Sequence, residues 1–314
     1  MSFTERSTVV QPPYSPELMQ ATHNLFRATI DLLAASPLAK AIAHSMLQKY
    51  TEHAARTRDG AALLGVDPAD AMLANLSYDL PLSTMACSTL ALATPEGPMI
   101  ARNMDWFPPG LIAKASAVVP IEHGLTAGFL GSVGVVTGLS NRGFGLALNA
   151  ASNGESDFTG YPMLLFLRHV LDHARDYSEA LTLIRETPLM LGGLITLVGT
   201  KNEERAVVER TPHSAKVRFA IAGEALIATN HYRLHSSIPA CSRYDWMSAH
   251  ADTGMAPMKL LTNANVLQSI TSQHVIVRPA TRTLQLFLPT HLLDPNFRDE
   301  AASFAEMFGL DVQA

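Results

Sequence analysis

Cysteine is scarce in this sequence: only Cys87 and Cys241 occur among 314 residues, too few for a disulfide framework or for a zinc site built on cysteines. Long apolar runs are missing as well. The richest stretch, Ile30 to Ala43, is interrupted by Asp31, Pro37 and Lys40, short of the roughly 18 uninterrupted residues a membrane-spanning helix needs. An excess of positive charge is also lacking. The 23 Lys and Arg are outnumbered by 28 Asp and Glu, and both are dispersed, so no basic stripe awaits phosphates and nucleic acid is not an expected partner. The first twenty residues mix Glu5 and Arg6 with three prolines and lack the apolar core of a secretory signal; a cytoplasmic location is the expectation.

What is present is a hydrophobic content of 47%, enough for a substantial core in one large domain or two small ones. Ser15-Pro16-Glu17 supplies an N-cap, a proline at the first helical position and an acid in the first turn. Helical spacing follows in Leu18, Leu25, Thr29 and Leu32, then in Leu38, Ile42 and Met46 after Pro37. GAALLGVDPADAMLANLSYDL, from Gly60 to Leu80, reads as a helix, a break at Asp67-Pro68, and a further helix or extended strip. From Cys87 the texture changes to short apolar runs between Gly and Pro, namely STLALAT, PMIARNM, SVGVVTGL and FGLALNA, which read as strands. Helical spacing returns between Pro162 and Thr187, with a break at Asp176 to Ser178. Strand-like runs resume at LITLVGT, RAVVER, EALIATN, HVIVRP and TLQLFLP. Strands, helices and strands again predict a layered α+β fold, with one compositional boundary, near residue 87.

That boundary coincides with a cysteine. A lone Cys is most often a small buried hydrophobe, but Cys87 is followed by Arg102 and Asp105 in a C-S-T…A-R-N-M-D-W pattern that a hairpin would fold together. Arg102 can hold a thiolate and Asp105 can orient an amine. A cysteine hydrolase needs a base, usually a histidine, and no histidine pairs obviously with Cys87. The alternative is a free α-amine, whose ordinary pKa of about 7.7 to 8 suits proton exchange with a thiol near neutrality. That route requires Cys87 to become residue one, through cleavage after the small Ala86.

From about Gly60 to Arg243 the sequence resembles the cysteine N-terminal nucleophile hydrolases of the acid ceramidase, N-acylethanolamine acid amidase and choloylglycine hydrolase superfamily. GAALLGVDPADAMLANLSYDL resembles the end of that family's propeptide, and CSTLALATPEGPMIARNMDW its nucleophile hairpin, one residue shorter near Pro95-Glu96-Gly97. Ala228-Thr229-Asn230-His231-Tyr232 resembles its Thr-Asn-Tyr segment, with Arg243 thirteen residues after Asn230. Asn149 in GLALNAAS resembles an Asn near the oxyanion in bile-salt and penicillin acylases; Glu155 matches the lipid amidases' acid only poorly.

The resemblance implies a four-layer αββα sandwich, with residues 1–86 as a helical propeptide and 87–314 as the catalytic domain. It implies a catalytic set of Cys87, Arg102, Asp105, Asn149, Asn230 and Arg243, with no cofactor and no metal. The partner would be a small-molecule N-acyl amide with a lipid-like or hydrophobic acyl group. The apolar character of residues 18–46 suggests peripheral membrane contact, and the two fragments would stay associated as a heterodimer. Acyl transfer of the isopenicillin N acyltransferase type, an uncut lipid-binding homologue and a Cys-His peptidase are the competing readings. Taken singly, Arg102 and Arg243 read more readily as surface ion-pair partners, and Asn149 and Asn230 as turn or capping residues; it is their fit to one pattern in order that favours the functional reading.

Three further motifs carry less. His169 and His173, at i and i+4, could share a metal, but no third ligand is suggested and a solvated helix face is expected. The glycines from Gly128 to Gly145 lack the order of a dinucleotide loop. Cys241 reads as a structural thiol, and His231 as a strand cap or a substrate contact.

Overall fold

The computed structural model describes residues 2–33, 36–79, 86–235 and 240–299. The chain opens with a short strand, β1 (Phe3–Glu5), before four helices: α1 (Pro16–Leu33), α2 (Pro37–Lys49), α3 (Thr51–Leu64) and α4 (Pro68–Asn75). There follow β2 (Ser88–Leu92), β3 (Met99–Asp105), α5 (Pro109–Ala115), β4 (Ala117–Ile121), β5 (Gly124–Gly128), β6 (Thr137–Ser140) and β7 (Phe144–Asn149). Next come α6 (Met163–His173), α7 (Tyr177–Glu186), β8 (Gly193–Val198), β9 (Arg205–Arg210), β10 (Ala215–Phe219) and β11 (Leu226–Ala228). The described part closes with α8 (Ser242–His250), α9 (Pro257–Leu261), β12 (Thr271–Arg278) and β13 (Thr283–Pro289).

The helix starts follow the capping chemistry. Ser15 Oγ accepts from the Leu18 N–H, and Asp67 accepts from the Ala69 N–H ahead of Pro68. Helix α3 stops at Gly65, whose φ of +66° suits a residue without a Cβ. Asp176 caps α7 through the Glu179 N–H, accounting for the break between α6 and α7.

Two antiparallel sheets form the middle layers, in the orders β1-β13-β12-β3-β2-β11 and β10-β9-β8-β7-β6-β5-β4. Between them pack Ala91, Ile100, Val118, Leu139, Val275 and Leu286. Outside the first sheet, Leu90 and Ala101 meet Met247 of α8 and Leu260 of α9. Outside the second, Phe144, Leu146 and Val208 meet Phe166 of α6 and Ile184 of α7. This is the four-layer αββα sandwich, with the first four helices added: Met46, Met72 and Leu73 pack with Leu165 of α6.

Two expectations need correction. The N-terminal segment is not purely helical, because Phe3–Glu5 pairs with β13 as the edge strand of the first sheet. SVGVVTGL is a strand only from Thr137. Its first half is held by other partners: Asn75 Oδ1 accepts from the Val133 and Gly134 N–H groups, and Val135 N–H donates to the Leu164 carbonyl. Strands β4, β5 and β10 and helices α5, α8 and α9 carry no signal singled out in the sequence.

Candidate active site

The β2–β3 hairpin sets Ser88 opposite Asn103 and Thr89 opposite Arg102. Alternation then sends Cys87, Thr89 and Arg102 into the space between the sheets, and Ser88 and Asn103 toward α8 and α9. The hairpin closes at Gly97, where φ is +98° and a Cβ would come within 2.9 Å of the Thr200 carbonyl oxygen, so only glycine fits.

Cys87 is fully buried at the head of β2. Arg102 Nη2 donates to its Sγ at 2.8 Å, while Nη1 donates to Thr137 Oγ1 of the second sheet at 2.9 Å. Arg102 is also fully buried and makes no ion pair with a carboxylate among the described residues, which removes the surface reading. Burial pushes the Cys87 thiol above its usual value, while Arg102 and, more weakly, Arg243 pull it down.

Asp105 ends β3, off the face that Cys87 shares with Arg102. Its backbone carbonyl accepts the Ala86 N–H at 2.9 Å. Thr271 donates to Oδ1 at 2.6 Å, whereas Oδ2 is buried without a hydrogen-bond partner. Burial raises this carboxyl to about 7, against the opposing pull of Thr271, Arg243 and Arg102.

Arg243, in the first turn of α8, closes the site from the outer side. Nη1 donates to the Ala86 carbonyl at 2.5 Å and to the Cys87 carbonyl and Ser88 Oγ at 2.9 Å each. Nη2 donates to Asn230 Oδ1 at 2.9 Å, and Asp105 Oδ2 lies 3.8 Å from Nη1. Arg243 thus polarises the carbonyl of the Ala86–Cys87 peptide bond.

The two asparagines flank this centre. Asn149, at the end of β7, accepts from Thr89 Oγ1 at 2.7 Å and donates to the Ala228 carbonyl. Asn230, just past β11, donates to the Ala150 carbonyl. All six expected residues therefore gather around the head of β2: Cys87, Arg102 and Asn149 between the sheets, and Asp105, Asn230 and Arg243 around the Ala86–Ser88 backbone. Glu155 is exposed on the loop after β7, outside the cluster. Cys241 is buried against Thr229, as a structural thiol would be. His231 lies beside Arg243, and its Nδ1 is buried without a hydrogen-bond partner. The sequence reading missed the threonines that hold the set, Thr89, Thr137 and Thr271; Thr89 was visible in C-S-T, but Thr271 lies 166 residues from the carboxylate it binds.

Beside the site lies a largely apolar cavity of about 400 Å³. Its walls include Leu25 and Phe26 of α1, Met104, Trp106, Phe129 and Val136. Cys87, Met104 and Val136 belong to the same packed cluster.

A family model described as acyl-coenzyme A:6-aminopenicillanic acid acyl-transferase matches residues 92–259, more than half of the chain. The chain belongs to this family. Its place in the N-terminal nucleophile superfamily is the one the hairpin motif implied. No curated protein matches the sequence. Among solved structures, a Caenorhabditis elegans N-acylethanolamine-hydrolyzing acid amidase ortholog is 20% identical at a TM-score of 0.54, covering 65% of this chain and 100% of its own. This likeness establishes the fold. The penicillin V acylase of Agrobacterium tumefaciens, 14% identical at a TM-score of 0.40 over 64% of this chain and 82% of its own, is a more distant neighbour.

Proposed function

We propose that the chain is a self-cleaving cysteine amidase that hydrolyses linear N-acyl amides through an acyl-enzyme on Cys87. The observation that carries this reading is the clamp on one peptide bond: Arg102 holds the Cys87 sulfur, and Arg243 holds the carbonyl that this sulfur would attack.

In the uncut chain, Asp105, with a carboxyl raised to about 7, takes the thiol proton. The sulfur adds to the Ala86 carbonyl carbon, the C–N bond breaks, and the Cys87 nitrogen leaves with a proton. Water then hydrolyses the Ala86 thioester, giving a carboxylate and a free Cys87 thiol with its own α-amine. The unpaired Asp105 Oδ2 becomes the natural acceptor for an N–H of that α-amine. In the mature enzyme the amine receives the thiol proton and returns it to the leaving amine of the substrate. Asn149 and Asn230 donate to the oxyanion, and water clears the acyl group.

The apolar cavity beside the nucleophile supports a hydrophobic acyl group, since its roughly 400 Å³ lies within the range of small-molecule sites. Residues of α1 line it, so the N-terminal fragment is part of the binding site and is expected to remain bound after cleavage.

Acyl transfer is the second reading, favoured by the family's description. Incubating the cut enzyme with a fatty N-acyl amide and a second amine separates the two. Free acid as the main product supports hydrolysis; acylated acceptor as the main product supports transfer. No acyl adduct on Cys87 after rapid acid quench would overturn both.

A further inference from the structure

We propose that Glu52, His169 and His173 form a zinc-class divalent metal site that staples α3 to α6. The sequence offers His169 and His173 on one face of α6 but no third ligand, and the structure supplies it from α3, more than a hundred residues earlier. His169 Nδ1 lies 2.9 Å from Glu52 Oε1 and His173 Nε2 lies 3.5 Å from Glu52 Oε2. All three residues offer ligand atoms within 4.8 Å of one another. Around a tetrahedral ion with bonds of about 2.0–2.1 Å, ligand atoms stand roughly 3.3 Å apart, so both Glu52–imidazole separations already lie near the required spacing, and rotation of the half-exposed His173 ring can adjust the distance between the two imidazoles.

The surrounding hydrogen bonds point the same way. His173 Nδ1 faces the His169 carbonyl at 3.0 Å; only an N–H can serve there, which leaves the Nε2 lone pair directed toward Glu52. Glu52 Oε1 accepts from Tyr161 Oη at 2.6 Å, and Tyr161 is reached in turn by His53 Nε2 at 2.8 Å, an outer support of the kind that orients metal-binding carboxylates. The nearby Arg56 is committed to Glu122 and Asp172, and Arg168 to Asp172, so no guanidinium competes for Glu52. The His173 side chain is half exposed, giving access from solvent and room for water as a fourth ligand. Two imidazoles and one carboxylate suit zinc and its neighbours rather than magnesium or calcium. Glu52 precedes Cys87 and both histidines follow it; in the proposed cleavage reading, the ion would tie the two fragments together.

The test uses metal-stripped full-length chain carrying Cys87→Ala, so that binding is measured whether or not cleavage occurs. Calorimetric titration with zinc chloride is expected to show one ion per chain and a zinc-dependent rise in melting temperature. His173→Ala and Glu52→Gln are each expected to raise the dissociation constant at least tenfold and abolish the rise; His173 is exposed enough for its variant to fold. No saturable binding, or binding unchanged in both variants, overturns the site. Zinc binding in a wild-type chain that never cuts would leave the metal site standing and sink only the cleavage reading.

Discussion

In the proposed cleavage Arg102 and Arg243 hold the two ends of the reaction, one at the sulfur and one at the carbonyl, and neither role would be interchangeable with lysine. A guanidinium reaches several acceptors at fixed angles, whereas an ammonium is a point charge. Arg243→Lys is therefore expected to slow cleavage at least tenfold in time-course mass spectrometry; cleavage at the wild-type rate would remove Arg243 from the mechanism. Asn149→Ala is expected to lower kcat by roughly 100- to 1000-fold if its amide faces the oxyanion, and a change under threefold would exclude that role. These residues were legible because the nucleophile hairpin and the Asn-to-Arg spacing are local patterns. Their supports were not, since Thr137 meets Arg102 from the facing sheet and Thr271 meets Asp105 from a neighbouring strand, both on elements distant in sequence.

Asp79 belongs to the same scale. Its carboxylate is buried where it accepts the Met163 N–H at the start of α6, and burial raises it to about 7 despite that bond. An unfolded aspartate titrates near 3.9. Between these values the folded chain keeps a proton that the unfolded chain has lost, so the stabilising effect is complete below about pH 4 and fades as pH rises through about 7. Asp105 acts in the same direction. In uncut Cys87→Ala protein, Asp79→Asn is expected to flatten the fall in melting temperature between pH 4 and 7; an unaltered profile would contradict the burial argument.

Among the elements, α1 matters most to the proposed acyl site outside the hairpin, because it walls the cavity. Ala28 lines that cavity, and Ala28→Phe would displace two or three methylenes of a bound acyl chain. At about 0.8 kcal/mol each, the loss is about 2 kcal/mol, or roughly 30-fold in kcat/KM for long acyl amides, with short ones spared. Equal effects on both would remove α1 from the acyl site. The helices were legible because Ser15-Pro16 and Asp67-Pro68 are start signals with a local mechanism. The strand expected at Ser132–Val136 was misjudged because its apolar residues resemble a strand's, while Asn75 and Leu164 claim its backbone groups.

The whole molecule joins its two halves more tightly than the change in composition at residue 87 suggests. Residues before the cysteine contribute an edge strand at β1, a wall of the cavity at α1, and Asn75, which holds the loop entering β6. A cut at Cys87 would therefore release little. The cleaved protein is expected to co-elute with the uncut chain in size exclusion and to separate only in denaturant.

The most direct test of this account is intact mass spectrometry of purified wild-type protein beside Cys87→Ala, incubated from mildly acidic to neutral pH. The account predicts two wild-type fragments, the second beginning with Cys87, and a single intact mass for the variant. An uncut wild type under all these conditions, or fragments that form equally in Cys87→Ala, would contradict it.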